Sequence, residues 1–191
     1  MIFHETTLKD AMLIDLEKRG DERGFFARTY CQKEFSAKGL DINYTQQNTS
    51  FSKDKGTLRG MHFQKAPHGE TKLIRCLRGA IVDIIIDIRP DSPTYMKWEA
   101  FELNEDNKRM LYVPKGFAHG FQTVSDNAEV TYLVDGFYEP TAEGGVRWND
   151  PAIGIVWPLE PTVMSDKDKT WADFSDETGA SFIKKMGVAA E

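Results

Sequence analysis

Two short segments gather side chains that could move a proton. Leu58-Arg59-Gly60-Met61-His62-Phe63-Gln64 carries an arginine and a histidine, and Lys72 follows ten residues after His62. Phe117-Ala118-His119-Gly120-Phe121 sets a second histidine among aromatics. A neutral imidazole is a competent base near neutral pH. Cations held beside it suit an anionic ligand or a developing oxyanion. Such chemistry needs rigid mounting, and both segments read as β-strand, which fixes side chains in strict alternation.

Each residue also has a plainer reading. Taken singly, His62 and His119 read equally well as hydrogen-bonded core imidazoles, and Arg59 and Lys72 as snorkelling surface cations. His4 reads as a surface or interface residue, and His68, in a Pro-His-Gly turn, as solvated. Lys72 shares strand parity with Ile74 and Cys76, so it points inward with them, where an unpaired ammonium is costly. Arg59 and His62 differ in parity, and a regular strand sends them to opposite faces. A bulge at Gly60 would restore a common face. Tyr132 alternates with Val130 and Val134. It reads as a core tyrosine, or as a phenolic proton donor in a pocket. Asp168, in Ser165-Asp166-Lys167-Asp168, reads as an acidic surface turn.

The elements that must position these groups are short and extended. Strand-like runs cover residues 12–17, 43–50, 57–64, 71–77, 80–88, 97–103, 109–113, 117–123 and 129–135, with another extended piece from Phe25. Turn chemistry separates them, as at Asp21-Glu22-Arg23-Gly24 and Asp91-Ser92-Pro93. Along 80–88, Val82, Ile84, Ile86 and Ile88 form an apolar face, and Ile81, Asp83, Ile85 and Asp87 a mixed one. That pattern predicts an antiparallel sheet packed on one side. Residues 31–38 predict a helix with Gly39 as its left-handed cap. Phe182, Ile183 and Met186 could form one face of a short final helix. The sum predicts an all-β protein, a double-sheet jelly roll with a few short helices and a small-ligand pocket between the sheets.

The chain has 191 residues, enough for one domain over 1–170 with a tail at 171–191. Its net charge of −6 argues against nucleic-acid binding, but a local cationic cluster can still hold an anion. The two cysteines, Cys31 and Cys76, have no metal or redox spacing. The start lacks the features of a signal peptide, and the apolar runs are too short to span a bilayer. These features predict no membrane partner and a cytoplasmic protein. A metal needs three or four protein ligands. Metal-binding jelly rolls commonly present His-x-His and then an acidic ligand. Here Gln64 stands two residues after His62, and His119 would have to complete a set with His62 and Glu70.

Ordered motifs point further. They are Asp21-Glu22-Arg23-Gly24-Phe25-Phe26, Gln46-x-Asn48-x-Ser50, Leu58-Arg59-Gly60-Met61-His62, Lys72-Leu73-Ile74-Arg75-Cys76 and Asp91-Ser92-Pro93-Thr94. Val113-Pro114-x-Gly116-Phe117-Ala118-His119-Gly120-Phe121, Trp148-Asn149-Asp150-Pro151 and Trp157-Pro158 follow. In their order and spacing, over about residues 3–168, the chain resembles the dTDP-4-dehydrorhamnose 3,5-epimerase family, nucleotide-sugar epimerases of the cupin superfamily.

The resemblance implies a jelly-roll homodimer with exchange of N-terminal strands, a nucleotide-diphosphate sugar substrate, no metal and no dissociable cofactor. It implies His62 as base, Asp168 as the group that orients it, Tyr132 as opposing acid and Lys72 as the cation on the enolate. It assigns Arg23, Arg59 and Lys167 to the diphosphate and its surroundings. Gln46, Asn48 and Glu143 fall among the nucleotide or sugar contacts, His119 beside the sugar, and Tyr138 on the base ring. Phe26 and Arg28 fall in the strand of nucleotide contacts. There many relatives carry glutamate where this chain has Arg28. The segment between Trp157-Pro158 and Lys167-Asp168 is shorter than in some relatives.

The implied reaction inverts C3 and C5 of a nucleotide-linked 4-keto-6-deoxyhexose through an enolate. Three alternatives share much of this sequence: an epimerase acting at one carbon or on another nucleotide sugar, a metal-dependent cupin, and a non-catalytic sugar-binding cupin.

Overall fold

The computed structural model describes residues 1–40 and 42–174. Its strands, in chain order, are Ile2–Glu5 (β1), Met12–Asp15 (β2), Arg19–Asp21 (β3), Gly24–Phe26 (β4), Gln46–Ser52 (β5), Leu58–Gln64 (β6) and Lys72–Arg78 (β7). Ala80–Asp87 (β8), Trp98–Asn104 (β9), Met110–Val113 (β10), Phe117–Thr123 (β11), Ala128–Val134 (β12) and Glu143–Gly145 (β13) complete them. The α-helices are Gln32–Ser36 (α1) and Asp166–Lys169 (α2). Strands β1, β3 and β13, which the sequence pattern does not pick out, are three or four residues long, too short to display a period of two.

Two antiparallel sheets face each other, a six-stranded one in the order β1-β2-β10-β7-β12-β5 and a five-stranded one in the order β13-β6-β11-β8-β9. The β3–β4 hairpin stands apart. This is the expected all-β jelly roll. Among the described residues no helix is long and apolar enough to cross a membrane.

Strand β8 anchors both layers. Ile81 and Ile85 enter the core between the sheets with Ile74, Cys76, Leu111 and Val130. Ile84, Ile86 and Ile88 pack on the other side with Met61, Val146, Ile153 and Phe174. All five isoleucines are fully buried, each contributing about 1.5–3 kcal/mol of transfer free energy. This corrects the expectation of a sheet packed on one side only. The chain after β13 folds back over the outer face, so the apolar face lies under that cover and the mixed face looks into the molecule. Asp83 and Asp87 are fully buried there. They persist because each has partners: His119 for Asp83, and Arg89, Ser92 and Thr94 for Asp87.

Helix α1 ends as its glycine predicts, although it is shorter than residues 31–38. Gly39 has φ +75°, the Leu40 N–H donates to the Phe35 carbonyl at 3.0 Å, and the Gly39 N–H to that of Ser36 at 2.9 Å. This is a Schellman cap. Phe35 and Leu40 pack with Ile14, Leu73 and Tyr112 on the outer face of the six-stranded sheet.

Packing continues past Thr170. The Arg147 N–H donates to the Ala172 carbonyl, the Arg147 side chain pairs with Asp173, and Phe174 is buried. The predicted helix around Phe182, Ile183 and Met186 lies outside the described residues.

Candidate active site

A cavity of about 730 Å³ opens between the sheets. One wall is β6 and β11, carrying Arg59, His62 and His119; the facing wall is β5, β7 and β12, carrying Gln46, Asn48, Lys72 and Tyr132. Glu143 from β13, Tyr138, and Lys167 and Asp168 from α2 also line it.

The bulge expected at Gly60 is present. His119 pairs with His62 and Phe121 with Arg59, so β6 spends one residue more than β11 across this interval. Gly60 has φ +142°, and a Cβ there would lie 2.5 Å from the Gly120 Cα. Only glycine fits, for sterics and for backbone angle together. The extra residue turns Arg59 and His62 to the same wall, and both line the cavity.

The His62 Nε2 lies 2.6 Å from the Asp168 Oδ1. With Nε2–H donated to the carboxylate, the free lone pair sits on Nδ1. The other Asp168 oxygen accepts the Gly60 N–H at 3.3 Å, and the Asp168 N–H donates to the Ser165 hydroxyl at 3.1 Å. Burial pushes the Asp168 carboxyl up, but the hydrogen bond and charge of His62, with the Gly60 and Ser165 bonds, outweigh it and hold it below its ordinary range. Asp168 is therefore no surface turn. It is 4% exposed, in a helix capped by Ser165. The Ser-x-x-Asp spacing of a capped first turn was the available sequence signal.

His119 sits directly across from His62 on the neighbouring strand and has its own carboxylate, Asp83, at 2.9 Å. Burial raises the Asp83 carboxyl against the opposing pull of His119. Sequence reasoning missed Asp83 as a site residue, because its strand parity shows only that it shares the mixed face.

On the facing wall Lys72 points inward, as its parity predicts, and forms an ion pair with Glu70. Burial raises the Tyr132 hydroxyl, Glu70 raises it further, and Arg59 opposes; the net direction is up, so the phenol keeps its proton. Arg59 ties the walls together, donating to the Ser52 hydroxyl and the Phe51 carbonyl of β5, each at 3.1 Å. Lys167 pairs with Glu143, which accepts the Tyr138 hydroxyl at 3.0 Å.

Gln64 does not reach into a metal site. Its Nε2 donates to Glu70 at 2.9 Å and to the Phe137 carbonyl at 3.2 Å, and its Oε1 accepts the Glu139 N–H at 2.8 Å. Among the described residues no three His, Cys, Asp or Glu side chains group as metal ligands would.

Three expected contact residues stand elsewhere in the chain. Arg23 pairs with Asp21 on the β3–β4 hairpin, Phe26 is 67% exposed, and Arg28 lies 3.3 Å from Glu34. None lines the cavity. The other expected residues, His62, Tyr132, Lys72, Asp168, Gln46, Asn48, Arg59, His119, Tyr138, Glu143 and Lys167, all do.

An oriented imidazole on one wall, and a phenol with an ammonium on the other, can take a proton from one side of a carbon and return one from the opposite side. Within a jelly roll, that equipment defines a class of chemistry, the inversion of a carbon beside a carbonyl.

Comparison makes the class particular. The family model for dTDP-4-dehydrorhamnose 3,5-epimerase matches residues 5–176. The dTDP-4-dehydrorhamnose 3,5-epimerase of Shigella flexneri is 42% identical over 173 residues, covering 90% of this chain and 95% of that protein. The crystal structure of the Bacillus anthracis enzyme of that name, with TDP and PPi bound, superposes with TM-score 0.88 at 43% identity, covering 91% of this chain and 99% of that one. A Legionella pneumophila epimerase in complex with dTDP-4-keto-L-rhamnose has TM-score 0.82 at 37% identity, covering 87% and 89%. The chain belongs to the dTDP-4-dehydrorhamnose 3,5-epimerase family.

Proposed function

We infer that this chain is an isomerase that inverts C3 and C5 of dTDP-4-dehydro-6-deoxyglucose, giving dTDP-4-dehydrorhamnose. The observation that carries the reading is the placement of His62 on one sheet, paired with Asp168 of α2, and of Tyr132 with Lys72 on the other sheet, around one cavity. The C4 ketone acidifies the hydrogens at C3 and C5, because either carbanion delocalises into an enolate. His62 Nδ1 takes the proton, and Asp168 stabilises the imidazolium. Lys72 meets the enolate oxygen. Tyr132 returns a proton to the opposite face of the carbon and regains its own from solvent. Arg59 and Lys167 hold the diphosphate, Gln46, Asn48 and Glu143 contact the nucleotide or sugar, His119 lies beside the sugar, and Tyr138 stacks on the base. Binding energy from the nucleotide fixes the sugar between the walls.

The working unit of this reading is a homodimer in which the β3–β4 hairpin of one protomer and the residues just after it carry Arg23, Phe26 and Arg28 to the cavity of the other. What supports it is that these residues are exposed and stand away from their own cavity. Sedimentation gives the oligomeric state. A mixture of Arg23→Ala and His62→Asn subunits should regain activity if the hairpin crosses, and none if it does not.

The test of function is incubation with dTDP-4-dehydro-6-deoxyglucose and NMR assignment of the product. Inversion at both carbons is expected. Inversion at one carbon would make the chain a single-position epimerase, and tight binding without turnover a sugar-binding protein.

A further inference from the structure

We propose that Glu70 is a positioning residue of this site: its carboxylate, itself held by Gln64, fixes the Lys72 ammonium where the substrate ketone meets it. This rests on the reading of Lys72 as the enolate partner.

A lysine head is a point charge on a flexible four-carbon stem, so its position is set by what it bonds. The Lys72 and Glu70 side chains are 12% and 13% exposed, and among the described residues Glu70 is the ion-pair partner recorded for Lys72. Glu70 is fixed in turn. Its second oxygen accepts from Gln64 at 2.9 Å, and Gln64 is 5% exposed and bonded at both ends to the segment carrying Phe137 and Glu139. A continuous line of contacts therefore runs from rigid β6 through Gln64 and Glu70 to Lys72 on the other sheet. The ammonium has three N–H donors. One bond to Glu70 leaves two for an incoming oxyanion.

Glu70 has a second effect on the same wall, since its charge opposes ionisation of Tyr132. The other groups of this cavity that bear charge or titrate are Arg59 and His62 on β6, Lys72 on β7 and His119 on β11. Glu143, Lys167, Asp168 and Tyr138 line it as well. Of these, Arg59 is the one whose charge opposes that of Glu70 at Tyr132.

The test compares Glu70→Gln and Glu70→Asp with the unaltered protein. Readouts are kcat and KM for dTDP-4-dehydro-6-deoxyglucose across pH, and tyrosinate absorbance titrated with and without Tyr132→Phe in each background. For Glu70→Gln, kcat should fall by about 10- to 100-fold, by analogy with the loss of a hydrogen-bond partner that orients a metal ligand, with KM little changed. The Tyr132 component of the titration, and the basic limb of kcat, should move to lower pH. Glu70→Asp keeps the charge and should recover part of kcat. Unchanged kcat and titrations in Glu70→Gln would reduce Glu70 to charge compensation and overturn the proposal, as would a rise in KM alone. If Glu70→Gln does not fold, Glu70→Asp carries the test, and an unaltered kcat there overturns it. Failure of the unaltered protein to turn over this substrate would sink the functional reading instead, while the tyrosinate titration would still report on Glu70.

Discussion

Asp168 meets His62 from a different element and from 106 residues away in the chain, at 2.6 Å. The imidazole is mounted on β6, and its carboxylate on the first turn of α2. The pair therefore forms only when the segment after β13 has closed over the outer face of the five-stranded sheet.

Asp168→Asn keeps the shape but presents an amide to Nε2, which removes the charge that favours the imidazolium. Turnover should fall on the order of 10²–10⁴-fold. The same pair makes stability depend on acid. Asp168 is held below its ordinary carboxylate range in the folded protein. The folded state therefore binds its proton less readily than the unfolded chain. The stabilisation is complete above the unfolded value of about 3.9 and is lost as pH falls through the depressed folded value. Thermal melting should show a gap between the unaltered protein and Asp168→Asn that is steady near neutrality and narrows below about pH 4.

Tyr132→Phe should separate removal of a proton from its return. His62 can still take a proton and give it back to the same face. Substrate incubated in deuterated water should therefore gain deuterium with retained configuration, while inversion falls by about 10²–10⁴-fold. Normal inversion would require another acid on that wall.

Lys72→Ala should lower kcat by about 10²–10³-fold, as for loss of an oxyanion donor. A rise in KM alone would place the lysine on the diphosphate.

Gly60→Ala forces a side chain into the Gly120 backbone at a φ of +142°. Strain at such an angle costs on the order of 1–3 kcal/mol, before the clash is counted. A lowered melting temperature and loss of turnover together are expected, because the bulge that turns Arg59 and His62 to one wall cannot form. An enzyme that keeps full activity with alanine there would show that the bulge is dispensable.

Much of the fold was legible because β-strands write their burial in parity. The alternation along β8 and the inward parity of Lys72 and Tyr132 all held in the structure. Parity also misled. Asp83 and Asp87 suggested a partly solvated face, whereas that face is interior, and a paired carboxylate leaves the same mark in sequence as an exposed one. Gln64 shows the same limit from the other side. Its position suggested only a missing metal ligand, and its hydrogen bonds to Glu70, Phe137 and Glu139 depend on loops whose approach no local pattern encodes. Ser165-x-x-Asp168 marks a capped turn, but the pairing of Asp168 with His62 was beyond local reasoning for the same cause, since that partner lies on another element. Arg23, Phe26 and Arg28 mark a further boundary: the folded chain does not bring them to the cavity.

The central claim is that His62 removes the protons at C3 and C5. It is tested most directly by incubating dTDP-4-dehydro-6-deoxyglucose in deuterated water with the unaltered protein and with His62→Asn, and counting deuterium by position. The account predicts deuterium at both carbons with inversion for the unaltered protein, and a loss of about 10²–10⁴-fold in both for His62→Asn. Wash-in at the unaltered rate with His62→Asn would contradict it.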